Sequence, residues 1–174
     1  MSPLTTRRFK PQAGQPFNYV EISDLSGDGF LSGETLMGEE APSRAQWVVK
    51  AGDVLTSTVR PIRRLSALVE KEQEGFICSS GFAVLRPKDL PPELLLLYLR
   101  LPIVCEILDL HTTASMYPAI STTDLMNIPV TLPESEKLRK ELVGKIREAR
   151  KAYQDARRLL AEAKAEVERM IEGT

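Results

Sequence analysis

The stretch from Ser135 to Ile171 constrains this chain more than any other. From Leu142 onward its apolar residues fall at Leu142, Ile146, Ala149, Tyr153, Ala156, Leu160, Ala163, Val167 and Met170. The intervals alternate four and three, the seam of a heptad coiled coil held for roughly four repeats. A helix of that length reaches on the order of 55 Å at about 1.5 Å per residue. It cannot bury its stripe against one small domain, so it requires a partner helix. Nowhere else is there a stretch long enough to fold back on it as a second arm. The expected partner is therefore intermolecular.

The two columns of the seam differ. One reads Ile146, Tyr153, Leu160, Val167, and the other is dominated by alanine every seventh residue. Small residues let two helix backbones approach closely, which favours antiparallel pairs. Arg150, Arg157 and Lys164 flank the alanines, while Glu141, Glu148, Asp155 and Glu162 form an acidic column elsewhere. In a symmetric antiparallel pair the basic positions would face their own copies and repel. That tells against a simple in-register homodimer. Val143, Ala152, Leu159 and Ile171 widen the apolar face. A second copy of the chain and a helix of another protein both satisfy the seam.

The remaining length suffices for one globular domain with a proper core. No apolar run with a basic start reads as a signal peptide, and none approaches the ~20 residues of a membrane span. The two cysteines, Cys78 and Cys105, match neither a CxxC nor a metal spacing, so a cytoplasmic chain with reduced thiols is expected. Up to Glu134 there are 12 basic and 16 acidic residues, a net of −4; the tail has 11 and 8, a net of +3. A nonspecific nucleic-acid binder is usually basic in its globular part. Any nucleic-acid contact here must be local, through a few well-placed cations, or must borrow charge from a partner.

Along the chain, Phe17–Ser23 reads as a strand, and Asp24 to Gly29 as a turn that half-matches a calcium loop but has Thr35 where the bidentate Glu should be. A glycine-rich turn accounts for it better than a metal. Strands are expected at Val54–Arg60, Ser66–Val69, Gly75–Cys78, Gly81–Arg86 and Ile128–Leu132. Pro92 and Pro102 each sit where a proline opens a helix, predicting helices to about Arg100 and Leu110. His111–Thr123, rich in hydroxyls, reads as a surface loop. The fold class is α+β: a globular, β-rich domain with short helices at 1–133, then one long coiled-coil helix at 134–174.

The order of short motifs carries a resemblance. Tyr19-Val-Glu-Ile-Ser-Asp-Leu25, Gly52-Asp-Val-Leu-Thr-Ser-Thr-Val-Arg-Pro61 and Ser80-Gly-Phe-Ala-Val-Leu-Arg-Pro87 come first. Tyr98-Leu-Arg100 and Ala119-Ile-Ser-Thr-Thr-Asp-Leu-Met-Asn-Ile-Pro129 follow, and the heptad helix closes the series. Together they resemble the target-recognition domain and spacer helix of type I restriction–modification specificity subunits, over nearly the whole chain. The family often has Gly-Ser-Thr in the loop where this chain has Thr113-Ala-Ser-Met-Tyr117. Its subunits usually hold two recognition domains and two helices, against one of each here. The resemblance implies a half-length, non-enzymatic subunit that pairs through its helix, as a homodimer. It would position DNA methyltransferase subunits, and in the full complex a translocating restriction subunit, on a bipartite double-stranded DNA site.

The residues agree with a non-catalytic reader. There is one histidine, His111, no glycine-rich nucleotide loop and no methyltransferase motif, so neither cofactor nor metal is expected. Asp53, the most tempting carboxylate, sits in a Gly-Asp turn whose geometry explains it without catalysis. Arg60, Arg63 and Arg64 form the densest cationic cluster of the globular part, beside Thr56 and Thr58. Ser79 and Ser80 precede a strand. Thr112, Thr113, Ser115 and Tyr117 supply hydroxyls and a ring. These two loops, with Lys88 or Arg86 on phosphate, are expected to face DNA, where base edges are read by donors and acceptors and register is set by phosphates. The competing account pairs the arginines with Glu70, Glu72 and Glu74 on a solvated surface. A competing function is a coiled-coil interaction module that never meets DNA, which the acidic globular part favours.

Overall fold

The computed structural model describes residues 7–113 and 116–173. The chain divides into two compact units between Thr131 and Leu132. In order the elements are β1 (Pro16–Val20), β2 (Glu34–Met37), β3 (Ala45–Val48), β4 (Val54–Ser57), β5 (Ser66–Leu68), β6 (Ile77–Ser79) and β7 (Phe82–Leu85). Then come α1 (Pro92–Leu99), α2 (Pro102–Leu110), β8 (Thr112–Thr113), β9 (Ala119–Ile120), α3 (Thr122–Asn127) and α4 (Glu136–Glu172). The class is α+β.

The first unit is organised on β4. All four of its residues are buried, because it lies between β5 and β7 in a three-stranded antiparallel sheet and has neighbours on both faces. Successive side chains of a strand point to opposite faces. Val54 accordingly joins Leu68, Ala83 and Leu85 in a cluster completed by Leu95, Leu96 and Leu99 of α1 and Val104 and Leu108 of α2. Leu55 joins Ala67, Val84 and Phe82 on the other face, packed with Val20, Leu25, Leu31, Val49 and Cys78. Those residues belong to or flank a second sheet in the order β2-β1-β6-β3, where β1 runs parallel to β6 and antiparallel to β2. The unit is thus helices on a sheet on a sheet. Where the β4 pattern puts a hydroxyl in the core it finds a partner: Thr56 Oγ1 and Ser66 Oγ lie 2.8 Å apart across the β4–β5 pair.

Several motifs turn out to be fastenings. Asp53 is fully buried and accepts a side-on pair of bonds from Arg86, Nε to Oδ1 at 2.8 Å and Nη2 to Oδ2 at 2.7 Å, while the Lys50 N–H donates to Oδ2. Tyr98 donates its hydroxyl to the Pro129 carbonyl at 2.7 Å. Arg100 donates to the carbonyls of Arg64 and Ser66, at 3.3 and 3.2 Å, and to that of Gly27. Ser121 caps α3 by accepting from the Asp124 N–H. Burial pushes the Cys78 thiol far up, and the nearby Asp53 charge pushes it further.

Two expectations need correcting. His111–Thr123 is not all loop: it contains the β8–β9 hairpin and the start of α3. Ile128–Leu132 is not a strand, because no neighbour pairs with it; Ile128 is buried against the helix side of the core and Val130 packs beside it. In the glycine-rich turn, Asp24 Oδ2 accepts from the Glu21 N–H at 2.7 Å and Ser26 Oγ from the Phe30 N–H, so both groups serve the turn itself. Among the described residues no cluster of His, Cys, Asp or Glu could hold a metal ion.

The second unit is α4. Ser135 caps its start by accepting from the Leu138 N–H, and Gly173, at φ 75°, ends it in the left-handed conformation glycine adopts most readily. Ion pairs four residues apart, such as Glu136–Lys140 and Glu141–Lys145, line its polar side. Leu160, Val167 and Met170 of the seam are 72, 55 and 78% exposed. No described helix is long and apolar enough to cross a membrane.

Candidate nucleic-acid interface

β4 leaves the core at Ser57, and the chain beyond it meets the β8–β9 hairpin. The Ile120 N–H donates to the Thr58 carbonyl at 2.9 Å, Val59 forms a bridge with Ala119, and the Arg60 N–H donates to the Pro118 carbonyl at 2.7 Å. Main-chain bonds therefore join two segments almost sixty residues apart. On the other side the Thr58 N–H donates to the Gly81 carbonyl, which brings in the β6–β7 turn with Ser80. The Ser80 N–H donates in turn to the Arg44 carbonyl at 2.8 Å.

After Val59 the chain makes a 3-10 turn, Pro61–Arg63, with a left-handed residue at each end: Arg60 at φ 49° and Arg64 at φ 58°. Left-handed backbone costs a residue with a Cβ about 1–2 kcal/mol. Here it is held by the Arg60–Pro118 bond at one end and by the Arg100 clamp on the Arg64 carbonyl at the other. The outcome is three arginines displayed on one exposed turn. The Arg60 guanidinium lies 5.4 Å from the centre of the Tyr117 ring and its Nη2 donates to the Met116 carbonyl at 3.4 Å. Met116 and Tyr117 are 77 and 66% exposed. Among the described residues no carboxylate lies within ion-pair distance of Arg60, Arg63 or Arg64, so the Glu70–Glu74 pairing is not made.

The expected site residues sort by position. Thr58, Arg60, Arg63, Arg64, Ser80 and Tyr117 gather at this end of the sheet, with Thr112 and Thr113 on the hairpin. Several hydroxyls already have work: Thr58 Oγ1 donates to Gly81, Thr112 Oγ1 to the Asp109 carbonyl and Thr113 Oγ1 to the Ala119 carbonyl. Ser79 is only 3% exposed and its Oγ accepts from the Gly81 N–H, which takes it off the surface. Arg86 is not a phosphate ligand but the partner of buried Asp53. Lys88 follows the end of β7 that pairs with Val54, opposite to the end beside Arg60. Ser115 lies outside the described residues. His111 is exposed at the end of α2. Sequence reasoning missed Arg44 and Met116; nothing local marks Arg44, whose place depends on its carbonyl bond to Ser80.

Arginine donors on a strained turn, an exposed ring and a heptad rod are parts suited to a recognition module, a β-rich domain followed by a rod. The comparisons give that class a family. No family model matches the chain. It is 24% identical over 141 residues to the type I restriction enzyme HindI specificity subunit of Haemophilus influenzae, across 79% of this chain and 31% of that protein. A solved chain from work on complex assembly and conformational transition of the type I R-M system superposes with a TM-score of 0.74 at 33% identity, over 96% of this chain and 44% of that one. The HsdS subunit from Thermoanaerobacter tengcongensis gives a TM-score of 0.72 at 32% identity, over 92% and 43%. The chain is thus similar, over nearly its whole length, to type I restriction–modification specificity subunits, and it spans less than half the length of these relatives.

Proposed function

We propose that this chain is the DNA-recognition component of a type I restriction–modification system and performs no chemistry itself. Residues up to 133 read one half of a bipartite duplex site, and the helix from 134 onward pairs with a second rod, in this reading a second copy. Two reading domains on paired rods would hold half-sites roughly one to two helical turns of DNA apart. Methyltransferase subunits, and a translocating restriction subunit, would be placed on DNA by this assembly. The observation that carries the reading is the joining of residues 58–64 to the hairpin around Tyr117, which presents arginines without acidic partners on an otherwise acidic unit.

The test is selection of duplexes from a randomised pool by the full chain, followed by mobility shifts at two salt concentrations and a measurement of solution mass. We expect a sequence-selective complex whose affinity falls with salt, and a paired species. Retention without sequence preference, or none, overturns the reading. The surplus of acidic residues up to Glu134 favours a second reading, a coiled-coil bridge between proteins. It predicts capture of a methyltransferase subunit with no selectivity for DNA.

A further inference from the structure

The three arginines of the exposed turn are not equivalent. Arg63 and Arg64 extend from the turn with their side chains exposed. Arg60 is fixed at every level. Its backbone nitrogen is bonded to Pro118, its φ of 49° and ψ of 64° hold it left-handed, and the next residue, Pro61, is buried. Its guanidinium lies over the Tyr117 ring, with one N–H given to the Met116 carbonyl.

Cation–π attraction to a ring holds a guanidinium without consuming its N–H donors. The single bond to Met116 pins the fork's rotation without using up those donors. A phosphate can be met by a mobile cation at many angles. A base edge needs two parallel donors at a set angle, and ordering a long side chain at the moment of binding costs entropy. Backbone strain held in place by its surroundings is also typical of residues whose direction matters.

We infer that Arg60 is the guanine-reading residue of this surface: the cation–π contact with Tyr117 and the bond to the Met116 carbonyl preset its fork for the O6 and N7 acceptors of a guanine in the major groove. Arg63 and Arg64 contact phosphate. Tyr117 is then a positioning residue that acts through Arg60. This inference rests on the proposed DNA-reading function and assigns one base to one side chain.

The test uses the full chain and the duplex recovered by selection. Each base pair is replaced in turn, and relative affinities are measured for wild type, Arg60→Lys, Tyr117→Ala, Tyr117→Phe and the Arg63→Ala/Arg64→Ala double variant. We expect one guanine whose replacement costs wild type on the order of tenfold, the size of a bidentate Arg–guanine contact. R60K, which keeps the charge but not the fork, should lose that discrimination at that position alone. Y117A should weaken it at the same position, and Y117F, which keeps the ring, should preserve it. The double variant should weaken all sequences alike and flatten the salt dependence. Full discrimination by R60K at every position overturns the assignment, as does an equal loss across all sequences. If wild type selects no sequence at all, the DNA-reading function itself falls.

Discussion

The two ends of β4 each carry an arginine, and they use it in opposite ways. At the Val54 end Arg86 grips Asp53, a carboxylate with no exposure, through two short bonds. At the Ser57 end the Arg60 guanidinium lies 5.4 Å from the centre of an exposed ring, and among the described residues no carboxylate is within ion-pair distance of it. One guanidinium neutralises a charge the fold has buried; the other remains a charge the fold presents. The lesson is that a cation count says little about a binding surface until each cation's partner is known. Arg86, whose charge alone suggests a phosphate ligand, belongs to the scaffold for this reason.

The comparison can be broken most forcefully at the inner end. Arg86→Ala leaves Asp53 buried without its counter-charge. Removing one partner of a buried pair costs about 3–5 kcal/mol, and because the Arg86 side chain is 38% exposed, screening brings the expected loss to about 2–3 kcal/mol. Urea unfolding measures it, and an unchanged midpoint would mean the pair contributes nothing. The raised Cys78 thiol gives the same experiment a second readout. At pH 8 Cys78 should resist alkylation in wild type and label faster in R86A, in step with the lost stability.

Next in size is the core hydroxyl pair. Ser66→Ala strands Thr56 Oγ1 between β4 and β5 and should cost about 2 kcal/mol, whereas a double Thr56→Val/Ser66→Ala change recovers much of it. At the outer end the expected stability effects are small. The Arg63→Ala/Arg64→Ala protein should unfold within about 0.5 kcal/mol of wild type while losing about 2 from its salt slope on DNA. With the opposite sign, Arg60→Gly should leave stability unchanged or raise it by up to about 0.5 kcal/mol, since glycine accepts φ 49° without strain. A loss of more than about 1 kcal/mol in that variant would make Arg60 scaffold too and erase the contrast.

What sequence could show divides along the same line. The rod was legible from its three-four spacing, and α1 and α2 from Pro92 and Pro102, because these signals are local. The central strands were legible as apolar runs between turns. β2 was not: Glu34-Thr-Leu-Met37 has no alternation and exists through its register with β1. The β8–β9 hairpin was hidden for a related reason, since two-residue strands are held by docking on Thr58–Arg60 and by nothing in their own composition. The Asp53–Arg86 pair spans thirty-three residues, so the Gly-Asp turn could be explained locally while its real partner stayed out of view. The quoted motifs, from Gly52-Asp53 to Ile120-Ser121, mostly fasten elements together. Of the displayed residues, Arg63, Arg64, Met116 and Tyr117 fall between them, while Arg60 sits inside the first of these motifs.

Away from Ile120, which is anchored in the core, the hairpin is tied to Thr58–Arg60 by backbone bonds, and that has an evolutionary consequence. N–H and C=O groups are the same for nearly every amino acid, so the attachment is indifferent to which side chains it carries. Substitution around Met116 and Tyr117 can therefore explore new preferences with little penalty to folding. A lineage could change what it recognises in single steps, without first passing through an unstable intermediate.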